Sequence, residues 1–141
     1  NGSSFFMNFR VEMQSTHEQC LLVAAGLDNL AEINAVFGHK TGDAYIAAAA
    51  QILRDTLPEN RIYRMESSTF AIIMKASQVS DITELFAAIR TACGKYSRDR
   101  SYPLVISAGY AVVEDRSADI NAYYATSVSN MMLDRRGHTA V

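Results

Sequence analysis

Two apolar runs, Ile62 to Met65 and Thr69 to Lys75, are separated only by Glu66, Ser67 and Ser68. Strand-forming segments that lie so close in sequence can pair only antiparallel, because a parallel crossover needs about a dozen residues or more. Any fold for this chain must therefore contain a hairpin at residues 62–75. Its turn is polar and carries no glycine.

The flanking segments add helices to that hairpin. Phe5, Phe6, Phe9 and Met13 recur at helical spacing and predict a short amphipathic helix over residues 4–13, which can pack on this domain or on a neighbour. Residues 20–26, CLLVAAG, form a continuous apolar run ending in glycine, as expected of a strand buried on both faces. Leu30, Ile33 and Val36-Phe37 then repeat at helical intervals up to Gly38. GHKTGD breaks this helix from the next, with Thr41 as the expected N-cap. The second helix spans about Asp43 to Leu57, and Pro58 ends it.

Beyond the hairpin, Ser80-Asp81 opens a further helix with Glu84 placed as in a capping box, and Gly94 reads as its stop. Residues 104–113 form a long strand between Pro103 and the polar EDRS segment. A last helix is expected from about Asp119 to Asp134, and a final short strand at Thr139 to Val141. Strands alternating with helices around one hairpin predict an α+β sandwich, with helices packed on a mostly antiparallel sheet.

The chain has 141 residues, 49% of them apolar and 20% charged, which suits one domain with a core large enough to fold without disulfides or metals. A formal charge of −2 gives no general attraction to nucleic acid or to anionic lipid. Arg135-Arg136, beside Asp134 and Gly137, reads as a solvated helix end. Cys20 and Cys93 sit in apolar surroundings without metal spacing, and so read as buried reduced thiols of a cytoplasmic protein. No apolar run is long enough to span a bilayer, and no signal peptide opens the chain. Residues 1–141 are read as a single domain cut from a longer multidomain protein, which can carry a membrane anchor elsewhere.

The segment GLDNLAEINAVFGHKTGDAYI is similar to D-[LI]-D-x-F-K-x-I-N-D-x-x-G-H-x-x-G-D, the first motif of the GGDEF domain, the family of diguanylate cyclases that join two GTP into cyclic di-GMP. Leu27, Asp28, Ile33, Asn34, Gly38, His39, Gly42 and Asp43 match it in register. Arg64 and Phe70 flank the signature hairpin, SAGYA resembles the family's S-x-G-x-A strand, and Gly137 and Val141 match near the end. The resemblance covers almost the whole chain and implies a nucleotidyl-cyclase or ferredoxin-like palm.

The departures from the family pattern bear on chemistry. The signature GG-[DE]-[DE]-F reads Glu66-Ser67-Ser68-Thr69-Phe70, and the first Asp of D-x-D is Gly26. In the family these acidic positions hold divalent ions between the phosphates, and neither serine nor glycine supplies a carboxylate for Mg²⁺. The lysine of F-K-x-I-N is Ala31. The late A-K-x-x-G-R segment reads Leu133-Asp134-Arg135-Arg136-Gly137-His138, a charge reversal at Asp134, with His138 positive only when protonated. The resemblance therefore implies no catalytic residues, no metal ligands and no cofactor. The R-x-x-D motif of product inhibition aligns with Leu57-Pro58-Glu59-Asn60, which lacks both charged partners. Asp28, Glu32 and Glu66 are weighed as substitute metal ligands, with a structural role preferred for Asp28 and Glu66.

The guanine end is retained. In the family the Asn of I-N-D and the Asp of G-D read the guanine edge, and Asn34 and Asp43 stand at those positions. A carboxylate accepts from N1–H and N2–H, and an amide meets the ring's acceptors. The alternative is that Asn34 caps a helix and Asp43 favours a helix N-terminus. Gly38 and Gly42 read as turn residues, and His39 as a loop residue.

The expected function is a catalytically inactive regulatory domain in cyclic di-GMP signalling. It would sense GTP weakly and control an attached EAL phosphodiesterase or other signalling domain, with a homodimer as a further expectation. No nucleic acid and no membrane contact by this domain are expected. Two alternatives stay open: a ligand-free interaction or dimerisation module, and a cyclase with unusual metal ligands.

Overall fold

The computed structural model describes residues 2–15, 18–57, 61–66, 68–114 and 119–139. In chain order its elements are α1 (Gly2–Ser15), β1 (Cys20–Leu27), α2 (Leu30–Phe37), α3 (His39–Thr56), β2 (Ile62–Arg64) and β3 (Thr69–Lys75). A 3₁₀ turn (Ala76–Gln78), α4 (Ile82–Ser97), β4 (Ile106–Val113) and α5 (Ile120–Thr139) complete them. The four strands form one sheet in the order β2-β3-β1-β4 with every pairing antiparallel. This is the expected α+β architecture, and the hairpin forms with Ile62 opposite Ile72 and Arg64 opposite Phe70.

The all-apolar run of β1 occupies the centre of the sheet, where both faces are covered. Val23, Ala25 and Leu27 point to one face with Phe70, Ile72, Met74, Ile106 and Ala108, and meet α2, α3 and α4 in the main core. Cys20 and Leu22 point to the other face with Ala71 and Val113, and meet Phe5 and Phe9 of α1. This is the alternation that a period of two imposes. α1 packs on this domain rather than away from it: the Phe5 ring lies 5.6 Å from that of Tyr63 and 5.9 Å from that of Tyr124.

Several boundaries differ from the sequence expectation. α3 begins at His39 with Gly38 as its N-cap, so Thr41 lies inside the helix and only Gly38, at φ 92°, separates α2 from α3. His39 is accordingly an exposed helical residue and not a loop residue. α4 continues through Gly94 to Ser97, because Ser97 Oγ accepts from Leu104 N–H at 2.8 Å and Tyr96 packs on Tyr45. Its start is as expected, with Asp81 accepting from Thr83 N–H at 2.9 Å. α5 runs past Asp134 to Thr139, so the expected strand does not begin there; its other residues, Ala140 and Val141, lie outside the described residues. Both cysteines are buried free thiols, and burial pushes the Cys93 thiol up to about 11.

Candidate functional site

The Asp28 carboxylate, at the end of β1, is 3% exposed. It accepts from Ser107 Oγ at 2.8 and 2.9 Å and from Arg135 Nε at 2.6 Å, and His138 Nδ1 lies 3.3 Å away. Ser107 Oγ also lies 3.0 Å from His138 Nδ1. The single Ser107 hydroxyl hydrogen goes to the carboxylate, so Ser107 accepts from His138 and the imidazole hydrogen sits on Nδ1. A buried carboxylate is stable only when paired and hydrogen-bonded. Three side chains from β4 and α5 meet that requirement here, which gives Asp28 the structural role expected of it.

Arg135 was expected at a solvated helix end, but it lies on the inner side of α5. Met131, Arg135 and His138 stand at i, i+4 and i+7, one face of a helix. Met131 on that face is buried, at 2% exposure. This spacing was the signal available in the sequence for Arg135. Asp134 does not face an open phosphate position either: its Oδ2 accepts from Ala108 N–H at 2.9 Å, closing a backbone donor on the edge strand β4.

Gly26 pairs with Thr69 on one side and Ser107 on the other, so it sits beside both the hairpin turn and the Asp28 cluster. The hairpin closes with Met65 N–H donating to Thr69 O and Thr69 N–H to Glu66 O, both at 2.8 Å, while Leu27 N–H donates to Ser68 O at 3.0 Å. A Cβ added at Gly26 would come within 2.7 Å of Arg135 Nη2 and 3.1 Å of Met131 Sδ. The space where the family's first aspartate side chain would emerge is therefore filled. Divalent magnesium requires about six oxygen ligands at about 2.1 Å. Here one carboxylate, already paired with a guanidinium, stands beside a glycine, and the residues present do not fit the ion. Glu32 and Glu66 are both exposed, and neither joins the Asp28 cluster.

Asn34 lies in the last turn of α2 and Asp43 in the second turn of α3. The Asn34 carboxamide rests against the Cα of Gly42, the residue before Asp43, at the junction of α2 and α3. Asn34 Oδ1 is buried and has no hydrogen-bond partner among the described residues. The N-cap of α2 is Asn29, at φ 61°, so Asn34 does not cap that helix, and Asp43 lies beyond the first turn of α3 and is exposed. Met65 packs in the α1-side core, away from this junction, whereas Leu30 packs on the main core, its Cδ1 3.4 Å from a Cβ placed at Gly42. Behind the junction, Tyr45 OH donates to Tyr102 O at 2.6 Å. Burial raises the Tyr102 hydroxyl above the usual tyrosine value, and its hydrogen bond with Glu32 adds to this.

A four-stranded antiparallel palm with its paired helices and signature-position hairpin defines a nucleotidyl-cyclase type of domain. The chain belongs to the GGDEF family: residues 1–138 match the family described as diguanylate cyclase, GGDEF domain. The active GGEEF domain of a diguanylate cyclase from Vibrio cholerae superposes with a TM-score of 0.81 at 18% identity, covering 96% of this chain and 90% of that one. An EAL/GGDEF domain protein from M. capsulatus gives a TM-score of 0.71 at 18% identity, covering 94% and 90%. These likenesses establish the fold. An uncharacterized membrane protein of Staphylococcus haemolyticus is 25% identical over 85 residues, which is 60% of this chain and 24% of that protein. The chain thus spans about a quarter of the length of the curated relatives it matches. Among the described residues no helix is long and apolar enough to cross a membrane.

Proposed function

We propose that this GGDEF domain is a non-catalytic regulatory domain of cyclic di-GMP signalling that binds a guanine nucleotide through Asn34 and Asp43 and passes its occupancy to an adjoining domain. The observation that carries the reading is the junction of α2 and α3, where the half-buried Asn34 carboxamide packs on Gly42 and the next residue, Asp43, is exposed. Asn34 Oδ1 is turned in against Gly42, so the amide N–H groups are the ones that would meet a guanine's ring acceptors, while Asp43 accepts from N1–H and N2–H. Neither residue caps its helix, which favours this reading over a capping role.

Absence of catalysis follows from the chemistry at the other end of the site. With Gly26 and Ser68 at the two acidic positions, neither supplies a carboxylate to hold ions against a triphosphate, and the Asp28 carboxylate nearby is taken up by Ser107, Arg135 and His138. Signalling requires that the nucleotide bind two states of the protein with different affinity. An EAL phosphodiesterase domain is the adjoining partner we propose, by analogy with the M. capsulatus protein that contains both domain types. A membrane anchor elsewhere in the full-length protein accords with the staphylococcal relatives, which are named membrane proteins.

Calorimetric titration with GTP and Mg²⁺, with ATP as control, tests this. Saturable heat from GTP alone, abolished by Asn34→Ala with Asp43→Ala, is the expected result. Absence of heat at millimolar GTP would turn the search toward protein partners.

A further inference from the structure

We infer that Arg135 is a built-in counter-ion that takes the place of a divalent cation beside Asp28, and that Gly26 is the residue that admits it. The inference concerns the charge cluster and holds whether or not a guanine nucleotide binds at Asn34 and Asp43. It rests on three observations. Arg135 Nε lies 2.6 Å from the buried Asp28 carboxylate, a charge-assisted pair of short length. Arg135 Nη2 and Met131 Sδ lie 2.7 and 3.1 Å from where a Cβ at Gly26 would stand, so a side chain there would have to displace them. Ser107 and His138 take up further sites on the same two carboxylate oxygens.

The charges decide what this cluster can hold. The guanidinium neutralises the Asp28 carboxylate, and a second carboxylate at the cluster's edge, that of Asp134, is turned to Ala108 N–H at 2.9 Å and to His138 Nε2 at 3.7 Å, so the two do not converge on one divalent ion. Hard divalent cations bind where oxygen ligands and anionic charge converge. The guanidinium is planar, permanently charged and weakly hydrated, so it suits a partly buried ion pair better than an ammonium group would. An aspartate at position 26 would meet Arg135 before it met a metal. The glycine and the arginine therefore act as a matched pair: the first vacates space on β1, the second fills it from α5 and ties that helix to the sheet.

The test uses the full chain in four forms: native, Arg135→Ala, Gly26→Asp, and Gly26→Asp combined with Arg135→Ala. Bound Mn²⁺ is read from the loss of the free-ion signal in electron paramagnetic resonance. The native chain and Gly26→Asp are expected to leave the signal unchanged, and the combined variant to deplete it saturably. Saturable depletion by Gly26→Asp with Arg135 in place, or none by the combined variant, would overturn the inference. If the combined variant does not fold, a double-mutant cycle of Asp28→Asn and Arg135→Gln, read by urea unfolding, decides. Each change alone should raise the unfolding constant about tenfold or more, and together by less than the product. Additive effects would refute the pairing.

Discussion

The carboxamide of Asn34 lies so close to the Cα of Gly42 that any Cβ at position 42 would overlap Asn34 Oδ1. This contact fixes the rotamer of Asn34 and joins the end of α2 to the first turns of α3. In an ordinary helix interior, replacing glycine with alanine stabilises by about 0.5–1 kcal/mol. Here Gly42→Ala should instead destabilise by about 1–2 kcal/mol, because Asn34 must leave its position. Urea unfolding checks the sign, and the GTP titration of the same variant should lose its heat. A stabilised variant with unchanged binding would show that Asn34 is not held by this contact.

Gly109 poses the same steric problem with a harder neighbour. A Cβ there would run into Met131 N and the Asn130 backbone, and Asn130 Nδ2 donates to Tyr110 O at 3.0 Å across the same approach. Backbone of α5 cannot yield as a side chain can. Gly109→Ala should therefore cost more than Gly42→Ala, about 3 kcal/mol, with α5 shifting away from β4. The measurement is the urea midpoint, with amide exchange in α5 faster than in β3; a loss below that of Gly42→Ala would count against the close approach.

Much of this architecture was legible because local pattern and burial agree. β1 is apolar at almost every position and is covered on both faces, the hairpin leaves no room for a crossover, and the phenylalanine spacing of α1 matches its buried side. The ends of α2 and α3 were legible, at Gly38 and Leu57, but those of α4 and α5 were not, because tertiary contacts overrode local stop signals. Gly94 does not end α4, since Ser97 and Tyr96 are held from outside the helix. Gly137 does not end α5, since Arg135 and His138 are bonded to Asp28, more than a hundred residues away in sequence. Asn34 and Asp43 could be named from the resemblance to the family motif, but the Asp28 cluster could not. In sequence Arg135 reads as part of a solvated helix end, whereas its long side chain reaches a carboxylate at the end of β1.

Phe5 tests whether α1 is an integral part of the domain. Its ring is fully buried among Phe6, Phe9, Tyr63 and Tyr124. Phe5→Ala should cost about 3 kcal/mol if α1 unfolds together with the sheet. If α1 instead detaches alone, amide exchange in α1 rises sharply while β1 keeps its protection, and the urea midpoint of the remainder hardly moves. The aromatic contacts to β2 and α5 lead us to expect the first outcome.

Cys93 sets an alkaline limit on the fold. Burial raises its thiol from 9.0 to about 11, so the folded state favours the protonated form. The unfolded chain loses that proton first as pH rises, and stability then falls with pH because the native state binds more protons. The contribution is complete below about pH 9 and is lost on rising through about pH 11, a loss on the order of 2 kcal/mol. Burial raises Tyr45 and Tyr102 in the same direction and steepens the decline above pH 10. Urea midpoints measured from pH 8 to pH 11 should therefore drop steadily for the native chain and less steeply for Cys93→Ala, whose cavity cost does not vary with pH. Neither buried thiol should react with Ellman's reagent at pH 8 until urea unfolds the chain; equal slopes for the two proteins, or prompt reaction of Cys93 in the native state, would contradict the assignment.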